Sequence, residues 1–264
     1  MILCKYFMDK GSRNYQEDTI VVDEKIFQEE YFGKIKVEII NKNKALFAVL
    51  DGMGGGEAGD FISYFVAKNL VKIWKEALKD RPLEEKYYIE ALKFIQSLTE
   101  RIFFEGNFLE YSGTTLAAVV IDKNIKEALS FNVGDSRVYL LRKNKLKLLT
   151  KDHSLVQKLI DAGLLKEEER IYHPQKHIIT FGLGPAFKDI WLEKKEKIYF
   201  NKIKLKDKDV FFLSTDGIHD YLEHKKLEKF LIVEKEKESG LVELIKEIFK
   251  IGAPDNFSFI YVQV

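Results

Sequence analysis

Four aspartates in the chain stand where an apolar run meets a turn. Asp51 follows FAVL and precedes a glycine-rich stretch, and Asp216 follows VFFLST and precedes Gly217. Asp135 lies in NVGDSR, and Asp255 precedes Asn256 ahead of the last apolar run. Taken singly, an aspartate in such a place is a turn former or a helix cap. A shared context implies more, because like charges gathered at the end of a packed sheet raise one another's pKa and destabilise the fold unless a cation neutralises them. With no cysteine cluster and no histidine pair at ligand spacing, oxygen ligands select a hard cation, Mg²⁺ or Mn²⁺, over zinc.

The stretch LFAVLDGMGGGEAGD, Leu46 to Asp60, is central to this chemistry. Gly52, Gly54, Gly55, Gly56 and Gly59 follow the carboxylate of Asp51. Glycine tolerates positive φ and lets backbone approach a ligand, so the loop is shaped for something bound rather than for chain reversal. Gly54, Gly56 and Gly59 satisfy the G-x-G-x-x-G pattern of dinucleotide binding. Asp51 just ahead of them would repel a pyrophosphate at the following helix N-terminus, and no second acid-ended strand follows at the expected distance. No Gly-Lys-Ser/Thr follows either, which excludes a Walker loop. Asp51 therefore reads better as a metal ligand on which other carboxylates converge.

Such a site needs strands that end together. Strand patterns are predicted at Ile2 to Met8, Thr19 to Asp23, Lys34 to Ile40 and Ala45 to Leu50, then at Thr115 to Ile121, Ala128 to Val133, Val138 to Arg142 and Leu146 to Leu149. Further strands are expected at Trp191 to Phe200, Val210 to Leu213 and Phe257 to Val264. Helical spacing runs from Phe61 to Leu78 and from Leu83 to about Phe104, and again at Leu155 to Ala162, Leu227 to Val233 and Leu241 to Phe249. The stretch through Glu168, His173 and Pro174 is irregular. Runs of strands interleaved with paired helices, rather than strict alternation, imply an α+β fold of packed antiparallel sheets covered by helices.

Composition bounds the rest. The chain has 264 residues, 46% of them hydrophobic, enough for a substantial core. With no linker-like composition shift, residues 1–264 read as a single domain. Lys plus Arg is 43 against Asp plus Glu at 42, a net charge of +1 that gives no general reason to expect nucleic acid or an acidic membrane as partner. The single cysteine, Cys4, excludes an internal disulfide framework and fits a reducing compartment. No apolar run approaches the ~18 residues of a membrane span, and no signal-peptide core precedes Lys5 and Asp9, so a cytoplasmic location is expected.

In chain order, SRNYQED at Ser12 to Asp18, VLDGMGGGEAGD at Val49 to Asp60, SGTTLAA at Ser112 to Ala118 and NVGDSRVYLLR at Asn132 to Arg142 are followed by LTKDHS, HPQKHIITFGLG, LSTDGIHDYL and PDNFSFI at Leu149, His173, Leu213 and Pro254. Together they resemble the metal-dependent (type 2C) serine/threonine protein phosphatases of bacterial type. The resemblance implies a four-layer α-β-β-α sandwich, two antiparallel sheets flanked by helix pairs, and direct hydrolysis of a phosphomonoester without a phosphoenzyme. It implies that Asp51 bridges two cations with the Gly52 carbonyl as a further ligand, that Asp216 and Asp255 complete one site, and that Glu17 serves the other. Asp18 would orient metal-bound water, Arg13 would grip the substrate phosphate, and Asp135 with Asp216 would hold a third cation. Paired cations lower the pKa of a shared water and stabilise in-line displacement, and the planar donors of arginine bind two phosphate oxygens at once.

Departures accompany the match. Met53 stands where some relatives carry a histidine proposed as general acid, so protonation of the leaving group would fall to metal-bound water. Gly56 replaces a usual histidine, and Phe181-Gly182 replaces arginine-alanine, changes expected to reshape the rim. The region from about Gly163 to Lys176 corresponds to the family's flap. Expected partners are phosphorylated proteins, including a serine/threonine kinase and its targets. A catalytically weak relative acting as a regulatory binding module is the alternative. His153 reads as a turn or cap residue, His219 and His224 as packing or surface residues, and Ser112, Thr114 and Thr115 as a strand start rather than nucleophiles, since no histidine and acid accompany them at recognisable spacing.

Overall fold

The computed structural model describes residues 1–55, 57–105 and 110–264. Ala45, Phe47 and Val49 of strand β5 (Lys44–Met53) belong to one buried cluster, and Leu46, Ala48 and Leu50 to another. Strand β7 (Leu116–Asp122) divides the same way, with Ala117, Val119 and Ile121 on one side and Leu116, Ala118 and Val120 on the other. Successive side chains on a strand point to opposite faces, so a strand apolar at every position must be covered on both. A second sheet covers one face. Helices cover the other.

The sheet containing β5 runs β11 (Tyr199–Lys204), β8 (Glu127–Val133), β7, β5, β2 (Asp18–Val22) and β3 (Lys25–Phe27), with the short β6 (Gly113–Thr114) paired to the end of β5. The opposing sheet runs β10 (Lys145–Leu148), β9 (Arg137–Arg142), β12 (Val210–Ser214), β13 (Phe257–Gln263), β1 (Ile2–Asp9) and β4 (Lys36–Ile40). Neighbouring strands pair antiparallel throughout. Helix α1 (Glu57–Ile73), prolonged by a π-helical turn at Trp74–Leu78, and α2 (Glu85–Glu105) cover the first sheet. Helices α6 (His224–Lys237) and α7 (Gly240–Lys250) cover the second. Three short helices, α3 (Leu155–Asp161), α4 (Lys188–Glu193) and α5 (Asp216–His219), lie in the connections. The result is the α-β-β-α sandwich expected from the sequence. No helix among the described residues is long and apolar enough to cross a membrane.

Helix α7 shows why the outer layers hold. Leu241, Leu244 and Ile248 recur at helical spacing and are fully buried, each contributing about 1.5–3 kcal/mol relative to exposure. A Cβ at Gly240 would collide with the Phe230 carbonyl, so glycine alone permits this approach of α7 to α6. Glu234 of α6 caps the new helix by accepting a hydrogen bond from the Leu241 amide (3.0 Å), and Lys5 of β1 neutralises it (2.7 Å).

The strand expected at Trp191 to Phe200 is a correction. Residues Pro185–Phe187 form a 3-10 turn that leads into α4, and only Tyr199 and Phe200 of the expected strand are extended, at the start of β11. The alternation in WLEKKEKIYF is overridden by packing. The Trp191 indole N–H donates to the Gly182 carbonyl (2.8 Å), and its ring packs on Phe181 with centroids 4.9 Å apart. Pro185 at the first turn favours the helical start, and Lys194 in the left-handed region (φ 53°) ends it.

Candidate active site

Along β5 the inward face reads Ala45, Phe47, Val49 and then Asp51; along β2 it reads Val22, Ile20 and then Asp18. Asp18 and Asp51 lie opposite each other in the register, so both inward faces end in a carboxylate. Asp51 is clamped through its main chain. Its amide donates to the Thr115 hydroxyl (3.0 Å), and its carbonyl accepts from the Thr115 amide and the Thr114 hydroxyl (2.9 Å each). The Thr115 hydroxyl also meets that of Ser136 (2.6 Å), all fully buried. These hydroxyls position an acid.

The polar loop between β1 and β2 is anchored by Asn256. Its Oδ1 accepts from the Glu17 amide (2.7 Å), and its Nδ2 donates to the Lys10 and Tyr15 carbonyls (2.9 Å each). Next to it, Asp255 Oδ2 accepts from Arg13 Nη2 (2.7 Å), and Asp255 Oδ1 accepts from the Asn256 amide (2.9 Å). Glu17 is placed by glycines. Its main-chain carbonyl accepts from the Gly52 amide (3.1 Å), and its carboxylate occupies the space a Cβ on Gly59 would fill. A Cβ on Gly52 would strike the Gly59 carbonyl, so strand end and helix start approach only as glycines.

The opposing sheet delivers Asp216 at the end of β12, as the first residue of α5. Thr215 ties the two sheets together. Its hydroxyl donates to Asp18 Oδ2 (2.8 Å) and accepts from the Ser258 amide (3.0 Å). Asp220 lies one helical turn after Asp216, and His177 Nδ1 approaches Oδ2 of both, at 3.8 Å and 3.6 Å. Asp135, 5% exposed, sits in the β8–β9 turn with Oδ1 buried and unpartnered.

The cluster is electrostatically unstable as a set of anions. Burial pushes the carboxyls of Asp18, Asp51 and Asp135 well above the ordinary range, and the charge of Asp216 adds to each. For Asp51 the neighbours acting on it are Asp216, Asp18, Asp255 and Asp135 in that order, which places these acids within electrostatic reach of one another. Burial likewise pushes Glu17 up to about 7, against the pull of Arg13, and raises Asp255 and, to about 7, Asp220. Glu17 Oε1, Asp18 Oδ1 and Asp135 Oδ1 are buried without a hydrogen-bond partner, each an acceptor that costs about 1–3 kcal/mol if left unmet. Divalent cations at this spot would meet all of these demands, so the residues present fit a Mg²⁺ or Mn²⁺ centre.

The structure thus brings Arg13, Glu17, Asp18, Asp51, Gly52, Asp135, Asp216 and Asp255 to one end of the inter-sheet space. His153 is a buried packing residue, with Nδ1 3.1 Å from the Gly134 carbonyl and Nε2 2.8 Å from the Lys197 carbonyl. His219 is buried and bonded to Ser214 (3.0 Å), and His224 contacts the Leu146 carbonyl (3.1 Å). Gly56 lies outside the described residues. Phe181-Gly182, expected at the rim, belongs to the core: Phe181 is buried between His153 and Trp191, and Gly182 leaves room for the Phe187 ring. Sequence reasoning missed Asn256, Thr215, His177 and Asp220. For Asp220 the signal was present, as an acid four residues after Asp216 on one helix face.

Comparison with known proteins agrees with this geometry. Residues 36–256 match the model of the family described as protein phosphatase 2C. A serine/threonine phosphatase stp of Listeria welshimeri is 31% identical over 226 residues, covering 84% of this chain and 85% of that protein. Among solved structures, the Streptococcus agalactiae serine/threonine phosphatase superposes with a TM-score of 0.80 at 27% identity, covering 100% of both chains. The catalytic domain of the serine/threonine protein phosphatase PstP, solved in complex with 2 manganese ions, shares the fold with a TM-score of 0.74 at 24% identity, covering 100% of this chain and 99% of that one. A match of this extent, over sequence and architecture alike, means that the chain belongs to the protein phosphatase 2C family.

Proposed function

We propose that the acid cluster at the sheet ends is the catalytic centre of a metal-dependent phosphatase acting on phosphoserine and phosphothreonine in proteins. The observation that carries this is the convergence of buried carboxylates from both sheets, with Glu17 Oε1, Asp18 Oδ1 and Asp135 Oδ1 unpartnered. In this reading Asp51, with the Gly52 carbonyl as a further ligand, would hold two cations, Asp216 and Asp255 would complete one site and Glu17 the other, and Asp135 with Asp216 would hold a third. When bound, the cations supply an acidified water and positive charge for the phosphoryl oxygens.

The chain's own groups supply the rest. Arg13, half-exposed at the rim, presents a planar fork to the phosphate, oriented by its bond from Nη2 to Asp255. Asp18 has one oxygen held by the Thr215 hydroxyl and the other free, so it orients the attacking water through Oδ1 and can take its proton. Met53, the last residue of β5, has no proton to give.

The phosphoprotein substrates include a serine/threonine kinase that this enzyme opposes. The single buried Cys4 supports a reducing, cytoplasmic setting. The shared inter-sheet core, drawing on residues from Ile2 to Val262, supports one catalytic domain. Hydrolysis of an aryl phosphate and of a phosphothreonine peptide with Mn²⁺, with and without chelator, tests the proposal. Turnover that vanishes with chelator and returns with metal is expected; binding without metal-dependent turnover would make the chain a regulatory module instead.

A further inference from the structure

Two polar residues of the second sheet stand in apolar surroundings. Strand β12 reads VFFLS and is followed by Thr215, and β13 reads FSFIYVQ, with Ser258 between Phe257 and Phe259. Thr215 and Ser258 are fully buried, and a hydroxyl taken out of water costs stability unless it is hydrogen-bonded. Their partner is an acid of the other sheet. The Thr215 hydroxyl donates to Asp18 Oδ2 (2.8 Å), and the same oxygen accepts from the Ser258 amide (3.0 Å). The Thr215 amide in turn donates to the Ser258 carbonyl (3.1 Å).

This pattern fixes the direction of the Thr215 hydroxyl. Its oxygen is occupied by a main-chain donor, and the Ser258 carbonyl, at 3.5 Å, is a poor target for its proton. The proton is therefore committed to Asp18 Oδ2, and Oδ1 is left without a partner among the described residues. Burial pushes the Asp18 carboxyl up, and the hydroxyls of Ser258 and Thr215 pull against it. Asp18 ends the inward face of β2, whereas Thr215 immediately precedes Asp216 and Ser258 follows Asp255 by three residues. The link from Asp18 thus ends on the two short segments that carry the second sheet's acids.

We infer that Thr215 and Ser258 are positioning residues for the phosphatase reaction: hydroxyls of the second sheet that hold Asp18 of the first in one orientation, aligned with Asp216 and Asp255. The inference rests on the phosphatase reading, in which Asp18 orients the attacking water through Oδ1. In that reading neither hydroxyl touches substrate or cation, and both act through Asp18. Their loss therefore falls on the chemical step, because a misaligned acid raises the barrier while the phosphate grip of Arg13 stays in place. Hydroxyls that merely tied the sheets together would act independently of Asp18.

The test is a double-mutant cycle on the full chain, Thr215→Val against Asp18→Ala, with Thr215→Ser and Ser258→Ala alongside. With Mn²⁺ and an aryl phosphate, Thr215→Val should lower kcat about 10–100-fold and shift KM less than about threefold. Thr215→Ser keeps the hydroxyl and should recover kcat to within about threefold of wild type, whereas Ser258→Ala should cost about fivefold. In the Asp18→Ala background Thr215→Val should cost less than about twofold, since the acid it positions is gone. Calorimetric titration should find Mn²⁺ bound as tightly by Thr215→Val as by wild type. Urea unfolding in chelator gives a readout that needs no turnover, and there the Thr215 and Asp18 substitutions should be non-additive. Ser258→Ala leaves every main-chain bond in place, so it decides the matter even where Thr215→Val does not fold. Any of four results overturns the inference and leaves the phosphatase reading standing: the same kcat loss from Thr215→Val in both backgrounds, a Thr215→Ser as slow as Thr215→Val, additive urea midpoints, or an unchanged kcat in Ser258→Ala. A wild type without metal-dependent turnover sinks that reading itself.

Discussion

Two clusters of buried charge lie within the same sandwich and are built on opposite plans. Arg137, Asp152 and Arg170 are each about 5% exposed. Arg137 grips Asp152 with two donors, Nε at 3.0 Å and Nη2 at 2.7 Å, and Arg170 Nη1 adds a third bond at 2.9 Å. The remaining donors go to Tyr139, Glu167 and Gln157. Every charge there has its partner in the chain. The acids at the sheet ends do not: Arg13 pairs with Asp255, and Lys176 and His177 approach Asp220, but among the described residues no ion pair reaches Asp18, Asp51 or Asp135. Buried charge that is answered internally is scaffold, here fastening the turn at Glu167–Tyr172 to the strand ends. Buried charge left unanswered is a site for ions from solution.

The contrast predicts opposite signs when an acid is neutralised. Asp216→Asn should lower kcat/KM for an aryl phosphate by about 10³-fold or more, ~4 kcal/mol of transition-state stabilisation. In chelator the same variant should melt a few degrees higher than wild type, because one of the mutually repelling charges is gone. Near-normal turnover would remove Asp216 from the metal centre. Asp152→Asn should do the reverse for stability, leaving two buried guanidiniums under-compensated at a cost of about 3–5 kcal/mol. Thermal melting checks both, and a melting point unmoved by Asp152→Asn would erase the distinction between the clusters.

Arg13→Ala probes the rim, where the two plans meet. Arg13 is half-exposed and pairs with Asp255, so its loss should raise KM for an aryl phosphate about tenfold and change kcat less. A normal KM would take the phosphate away from Arg13.

The acid-ended strands were legible because they rest on a local pattern: an apolar run followed by aspartate and a turn marks Asp51 and Asp216 without knowledge of the fold. The packed antiparallel sheets were legible in the runs of strands interleaved with paired helices, and the four layers came with the family resemblance; the continuous apolar runs of β5 and β7 show why both faces had to be covered. Residues that act at a distance along the chain were not legible. Asn256 anchors Lys10, Tyr15 and Glu17 from some 240 positions away, and no local signal marks such an amide. Arg170 lies in a stretch that looked structureless, yet the buried Asp152 gives it a fixed place. The false strand at Trp191 to Phe200 failed for the same reason, since its alternation was real but Trp191 was already claimed by Phe181 and Gly182.

The last prediction concerns pH, where the unanswered cluster should reveal itself without any substitution. Burial first, and neighbouring acids second, hold Asp18 and Asp51 above their unfolded values, while burial holds Glu17 and Asp220 at about 7. An acid raised in the folded state binds its proton more tightly there than when unfolded. Its contribution to stability is therefore fully present below the unfolded pKa, about 4, and is lost as pH rises through the folded value. As pH rises through about 7 the chelated protein loses what protonated Glu17 and Asp220 contribute, and the charges they gain add repulsion that bound Mg²⁺ removes. The difference in melting temperature between the Mg²⁺-loaded and the chelated protein should therefore widen from about pH 5.5 to about pH 8. Charges elsewhere, including the compensated arginine cluster, cancel in that difference. A gap that stays constant over this range would mean that the acids at the sheet ends do not hold the cation.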